Sequence, residues 1–98
     1  MLESLDMMSF AQRVGELFRI AIDDATMLPT RLIEVTPAGA YARGPHRTPF
    51  SVVFRSPPGA PLPQRIYRLH HDELGALDLF LVPIGPDDEG MLYEAVFS

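Results

Sequence analysis

Cysteine is absent from the 98 residues, and lysine is absent as well, because all eight basic residues are arginine. Without cysteine the chain has no disulfide framework and no thiolate nucleophile or metal ligand. The length fits one domain and leaves no room for two. Hydrophobic residues make up 47% of the sequence, which is enough for a core that needs no metal or disulfide.

A basic balance is also lacking, since 13 acidic residues against eight arginines give a formal net charge of −5. A protein that binds nucleic acid or an anionic membrane surface gains most of its affinity from a basic face of its own. This acidic chain is therefore not expected to bind either. No apolar run approaches the roughly 18 to 20 residues of a membrane helix. The first ten residues, MLESLDMMSF, contain no basic residue and so lack the start of a secretory signal. We expect a cytoplasmic protein, and export as part of an assembly stays open.

A short helix is predicted near the beginning of the chain. Ser9 followed three residues later by Gln12 has the spacing of a capping box, and Gly15 lies where a helix would end. This predicts a helix over residues 9–15. Residues 1–8 are then an N-terminal extension, and residues 9–98 form a single β-rich domain.

Beyond Gly15 the hydrophobic period changes to two, which is typical of half-buried strands. In residues 27–36 the pattern is imperfect: it places Val35 on one face and Leu32 with Glu34 on the other, and Pro29 favours an edge or a strand start. The predicted strands cover residues 16–23, 27–36, 50–55, 65–71, 76–84 and 90–98. Their connections are too short for crossover helices. The prediction is a mainly β fold, a small antiparallel barrel or sandwich of about six strands with one short N-terminal helix.

Two of these strands raise a question about partners. Residues 76–84 are apolar on both faces, so this strand is expected to be central or to contact something else on one side. The last six residues, YEAVFS, predict a strand with Tyr93, Ala95 and Phe97 on one face. An exposed apolar edge promotes aggregation. We therefore expect this strand either to close the barrel by pairing with an early strand or to meet another chain.

Signatures of catalysis and metal binding are weak. His70 and His71 are adjacent on a predicted strand, so they point to opposite faces and do not share an ion easily. We expect His71 to bond across the following turn, and His70 to be solvated. Residues 85–90, GPDDEG, are expected to form a hairpin loop rather than a calcium site. No nucleophile elbow or phosphate-binding loop occurs. The expectation is a non-enzymatic protein with no metal site and no cofactor.

The candidate contact site is a loop rich in glycine, proline and arginine. It contains Tyr41, Arg43, His46 and Arg47 within an otherwise acidic chain. Tyrosine and arginine are favoured at protein interfaces, and paired arginines bind carboxylates or phosphates. Two interpretations follow. The loop contacts a protein partner, or it binds a small anionic ligand.

The chain as a whole resembles a family of short uncharacterised bacterial proteins, a domain of unknown function. The resemblance rests on the runs F-A-x-x-V-G-x-x-F, PFSVVFR, L-P-Q-x-x-Y-R-L-x-H-x-E-L-G-x-L-x-L-F-L-V-P-I-G-P-D and G-M-x-Y-E-A-V-F, which extend from Phe10 to Phe97. His70 departs from it, because that position is more often acidic. The family brings no activity and no catalytic residues. A link to phage-tail-collar-like proteins implies a structural or assembly role.

Taken together, these features favour a structural or interaction domain that acts through protein contacts. It would assemble with itself as an oligomer or dock on a larger, phage-tail-like partner. The alternative is a small β-module that binds an anionic ligand with the loop of residues 41–47.

Overall fold

The structure is a computed structural model that describes residues 5–37 and 49–97. The described residues form one short helix and six strands. In chain order these are α1 (Met7–Ala11), β1 (Leu17–Asp23), β2 (Thr26–Pro37), β3 (Phe50–Ser56), β4 (Arg65–His71), β5 (Gly75–Asp87) and β6 (Gly90–Phe97).

All six strands pair antiparallel in a closed barrel with the order β1-β2-β3-β6-β5-β4. The predicted fold class is thus confirmed, as a barrel rather than a sandwich. Strands β1 to β3 follow one another as a meander, and so do β4 to β6. The segment 57–64 connects the two meanders, which meet along the β3–β6 and β1–β4 pairs.

The terminal strand β6 lies between β3 and β5 and is paired on both sides. Its pairing with β3 runs from Phe50 opposite Phe97 to Ser56 opposite Met91. YEAVFS thus pairs within the barrel, as one of the two expectations had it, but its partners are β3 and β5 and not one of the first strands. Tyr93 and Ala95 face the core as predicted, and Phe97 packs against it.

The core fills the barrel with the inward side chains of every strand. Helix α1 covers one end, where the Phe10 ring lies 5.2 Å from Phe97 and 5.9 Å from Phe50, between centroids. The fully buried apolar side chains of the barrel strands include Phe18, Ile20, Leu32, Phe50, Val52, Phe54, Leu69 and Leu81. Each lies on the face that the period-two pattern predicted, except Leu32.

The strand β2 contains a bulge that the sequence pattern did not predict. The register shifts between Leu32 and Glu34, so Leu32 and Val35 both reach the core from positions of opposite parity. The assignment of Val35 and Leu32 to opposite faces is therefore wrong. Pro29 pairs with β1, and the β2–β3 ladder begins only at Arg31. The missing N–H of proline is tolerated there because β2 is paired on one side only.

The predicted helix start is also wrong. Asp6 is the N-cap, and its carboxylate accepts the backbone N–H of Ser9, while the Ser9 hydroxyl accepts that of Asp6. Ser9 is thus the third helical residue, and the helix ends at Ala11 rather than Gly15. An aspartate carboxylate accepts the backbone N–H in the first helical turn as well as a serine hydroxyl does, so the Ser9–Gln12 spacing alone does not determine where the helix starts.

The second hairpin is tighter than the predicted loop 85–90. A bulge between Pro83 and Gly85 lets β5 continue to Asp87, and β6 resumes at Gly90. Asp87 Oδ1 accepts the N–H of Gly90 at 3.0 Å and thereby holds the turn. A Cβ at Gly90 would lie 1.9 Å from the Ser56 carbonyl oxygen, so only glycine fits where β3 approaches the turn.

Candidate functional site

The loop residues singled out from the sequence, Tyr41, Arg43, His46 and Arg47, lie outside the described residues. The strands that flank them meet where Pro37 pairs with Phe50, at the end of the barrel covered by α1. The contact role of this loop, with protein or with a small anion, stays a prediction.

A different surface emerges on the outside of the barrel over β4, β5 and β6. Ile66 and Phe80 are direct cross-strand partners, and both point away from the core. Val82 pairs with Glu94, so Phe80 and Val96 occupy the next outward positions of β5 and β6. We call Ile66, Phe80 and Val96 the β4–β5–β6 face; their exposed fractions are 65%, 50% and 62%.

This face arises because β5 is apolar on both sides. Leu77, Leu79 and Leu81 point inward and are buried, whereas Phe80 and Ile84 point outward and are about half exposed. The pattern correctly predicted a strand that is apolar on both sides. In the barrel its outer side is covered by nothing within the described residues.

One border of the face is an ion pair on the same two strands. Arg68 lies opposite Asp78, and the guanidinium donates to both carboxylate oxygens at 2.9 and 3.1 Å. These hydrogen bonds from Arg68 hold the pKa of Asp78 below its ordinary value. Both side chains remain more than half exposed, so their charges are available to a neighbour.

His71 lies at the end of β4, and both of its ring nitrogens have partners. Nδ1 accepts the backbone N–H groups of Glu73 and Leu74 at 3.0 and 3.1 Å. Because Nδ1 is an acceptor, Nε2 carries the hydrogen and donates it to Glu16 Oε1 at 2.7 Å. The predicted bond across the turn is confirmed, and both ring nitrogens are engaged with groups of the same chain. His70, on the outer side, is half-buried rather than fully solvated.

A surface cleft of about 340 Å³ lies beside β1, β2 and β3 and contains Arg31 and Arg55. Arg31 Nη1 donates to the Gly15 carbonyl oxygen at 2.7 Å. Arg55 Nε donates to Asp87 Oδ2 at 3.0 Å, and Glu89 lies 3.5 Å from its Nη1. Two carboxylates already pair with Arg55, and Arg31 donates to a neutral carbonyl group, so the cleft does not present the two free guanidinium groups of an anion clamp.

Residues 5–37 and 49–97 lack two further kinds of feature. This part of the chain contains no group of three or more His, Asp or Glu side chains placed to hold a metal ion. It also contains no helix that is both long and apolar enough to span a bilayer.

The fold and its outer face define a small closed β-barrel with an exposed apolar surface on three adjacent strands. The family model of a domain of unknown function, DUF6916, matches residues 5–97, and the chain belongs to that family. The search of curated proteins and the search of solved structures gave no match. The resemblance to an uncharacterised family is confirmed.

Proposed function

We propose that this protein is a non-enzymatic interaction domain that binds another protein surface through the β4–β5–β6 face. The observation that carries the proposal is the clustering of Ile66, Phe80 and Val96, each at least half exposed, on three neighbouring strands. Single exposed apolar residues are normal, whereas a contiguous apolar cluster bordered by charged residues is typical of interaction sites.

The closed barrel determines how such contacts are made. Every strand is paired on both sides along part of its length, so the barrel offers no full-length edge for an incoming strand. Contacts must therefore come from side chains on the outer surface. A large aromatic residue flanked by branched aliphatic residues is a suitable centre for such an interface, because removing these groups from water supplies most of the affinity.

The biological setting that we propose is a structural or assembly role. The resemblance to bacterial proteins linked with phage-tail-collar-like proteins supports it. A barrel domain of this kind would act as an assembly component in the cytoplasm or within an exported particle. The same face would then be covered in the assembled state.

Site-specific photo-cross-linking in cells tests this proposal. A benzophenone amino acid replaces Phe80, and a matched variant carries it at Met27, which is also about half exposed but lies on β2. We expect a discrete cross-linked protein of defined mass from position 80 and none from position 27. The absence of any adduct at position 80, or equal adducts at both positions, would refute an interaction through this face.

A further inference from the structure

From the register of β4 and β5 we infer that the occupant of the β4–β5–β6 face is a second copy of this chain. This inference rests on the proposed function and names its partner. It places a two-fold axis along the strand direction between β4 and β5. Two barrels then meet face to face as a symmetric dimer.

The first argument is the match between positions. On the outer surface Ile66 lies opposite Phe80, and Arg68 lies opposite Asp78 in the neighbouring outward row. The proposed axis overlays β4 of one copy on β5 of the other. Ile66 then meets the partner's Phe80, and Arg68 meets the partner's Asp78. Apolar groups thus face apolar groups, and each charge faces its opposite.

The second argument is charge complementarity. The dimer turns each Arg68–Asp78 pair into an alternating group of four charges, with two new attractive contacts and no like charges directly opposed. A surface with equal numbers of both signs suits a partner with the same alternation.

The third argument is the size of the contact. A fully exposed aromatic side chain presents on the order of 150 to 250 Å², and isoleucine presents somewhat less. At the exposed fractions of Ile66 and Phe80, which lie on either side of the axis, each copy contributes roughly 200 Å² of apolar surface to the centre of the contact. This is a small apolar centre, of the kind found in weak and transient complexes rather than in permanent ones. We therefore expect a weak dimer whose population rises with protein concentration.

Two charge-reversal variants test the two-fold register. In the Arg68→Asp variant all four central charges of the dimer are negative, and in the Asp78→Arg variant all four are positive. Each alone should weaken self-association by about tenfold or more. Mixed in equal amounts, they should form a heterodimer in which both contacts between the two copies are again opposite in sign, so association should recover at least to the level of the unchanged protein.

Sedimentation equilibrium of the whole chain and of each variant, from about 1 μM to about 1 mM, measures the dissociation constants of the dimers. Phe80→Ser should abolish the dimer and should not be rescued by mixing, whereas Met27→Ser should leave it unchanged. Circular dichroism confirms that every variant remains folded. A monomer at all concentrations, a dimer insensitive to Phe80→Ser, or a failure of the mixed variants to associate would overturn the inference. The cross-linking experiment separates the two ideas, because an adduct with a different protein keeps the proposed function and rejects the second copy.

Discussion

His71 is held by three hydrogen bonds and by the ring of Phe18, whose centroid lies 4.5 Å from its own. Its side chain is only 4% exposed. The residue connects the β4–β5 turn to Glu16, which directly precedes β1. It therefore joins strands at the β1–β4 contact, where only three residue pairs are in register.

We expect His71→Ala to lower the free energy of unfolding by about 2 to 4 kcal/mol, since it leaves a cavity and removes the acceptor for two N–H groups. The adjacent His70→Ala is the matched control, because His70 points outward and should cost at most about 0.5 kcal/mol. His71→Asn, which offers an acceptor to the turn, should recover part of the loss. Urea denaturation measures all three, and equal losses for His70 and His71 would contradict this account.

At the scale of elements, the alternation of apolar and polar residues predicted the strands, because each half-buried strand turns one apolar face to the core. The same pattern placed Phe18, Ile20, Phe54 and Tyr93 correctly inside. It failed where the register shifts, since a bulge changes which parity faces inward without any signal in hydrophobicity. The bulges in β2 and β5 therefore explain the wrong faces in 27–36 and the loop that was predicted too long.

The candidate surface was only partly accessible to sequence reasoning. The two-sided apolar pattern of 76–84 indicated that one side of β5 faces something other than the core. The pattern did not reveal that Ile66 is the partner of Phe80, because pairing register depends on the whole barrel. Ile66 lies in the run Arg65-Ile66-Tyr67-Arg68, and nothing in that run indicates that its side chain belongs to an apolar surface.

The two faces of β6 can be compared with neighbouring substitutions. Phe97 packs against the core with its ring stacked 4.6 Å from that of Phe50, whereas Val96 points outward. Since Phe97 is only partly buried, we expect Phe97→Ala to cost about 2 to 3 kcal/mol, less than a fully buried phenylalanine. Val96→Ala should cost less than about 0.5 kcal/mol. Thermal and urea unfolding of the monomer at low concentration decide this, and a larger loss from Val96→Ala would refute the assigned faces.

For the whole molecule, acid stability follows from three aspartates whose pKa values are lowered in the fold. The Arg55 hydrogen bond lowers the pKa of Asp87, the Arg68 hydrogen bond lowers that of Asp78, and the Ala25 N–H lowers that of Asp23. The unfolded chain therefore takes up protons first as the pH falls. The stabilisation is complete above the unfolded pKa of about 3.9 and is lost as the pH falls through the lower folded values.

We expect the free energy of unfolding to be nearly constant from neutral pH to about pH 5 and to fall below about pH 4, as far as these groups are concerned. Asp87→Asn should reduce stability at pH 7 and flatten the decline in acid. Asp88→Asn removes the same charge from the same turn without removing a contact to Arg55, so it should keep the slope. Urea unfolding between neutral and acidic pH measures both, and identical slopes for the unchanged protein and Asp87→Asn would refute the role of this pair.

The strand order β1-β2-β3-β6-β5-β4 has a consequence for how the molecule comes together. If β1, β2 and β3 are exchanged with β4, β5 and β6, every strand keeps equivalent neighbours around the barrel. The middle strand of each half, β2 or β5, carries a bulge before its end. The barrel thus has an internal pseudo-two-fold arrangement: it consists of two three-stranded sheets of one chain, joined by residues 57–64. Each sheet alone would expose two unpaired edges, and within the chain each edge pairs with an edge of the other sheet. Formation of the β3–β6 and β1–β4 pairs is therefore the step that removes the unpaired, aggregation-prone edges of both sheets.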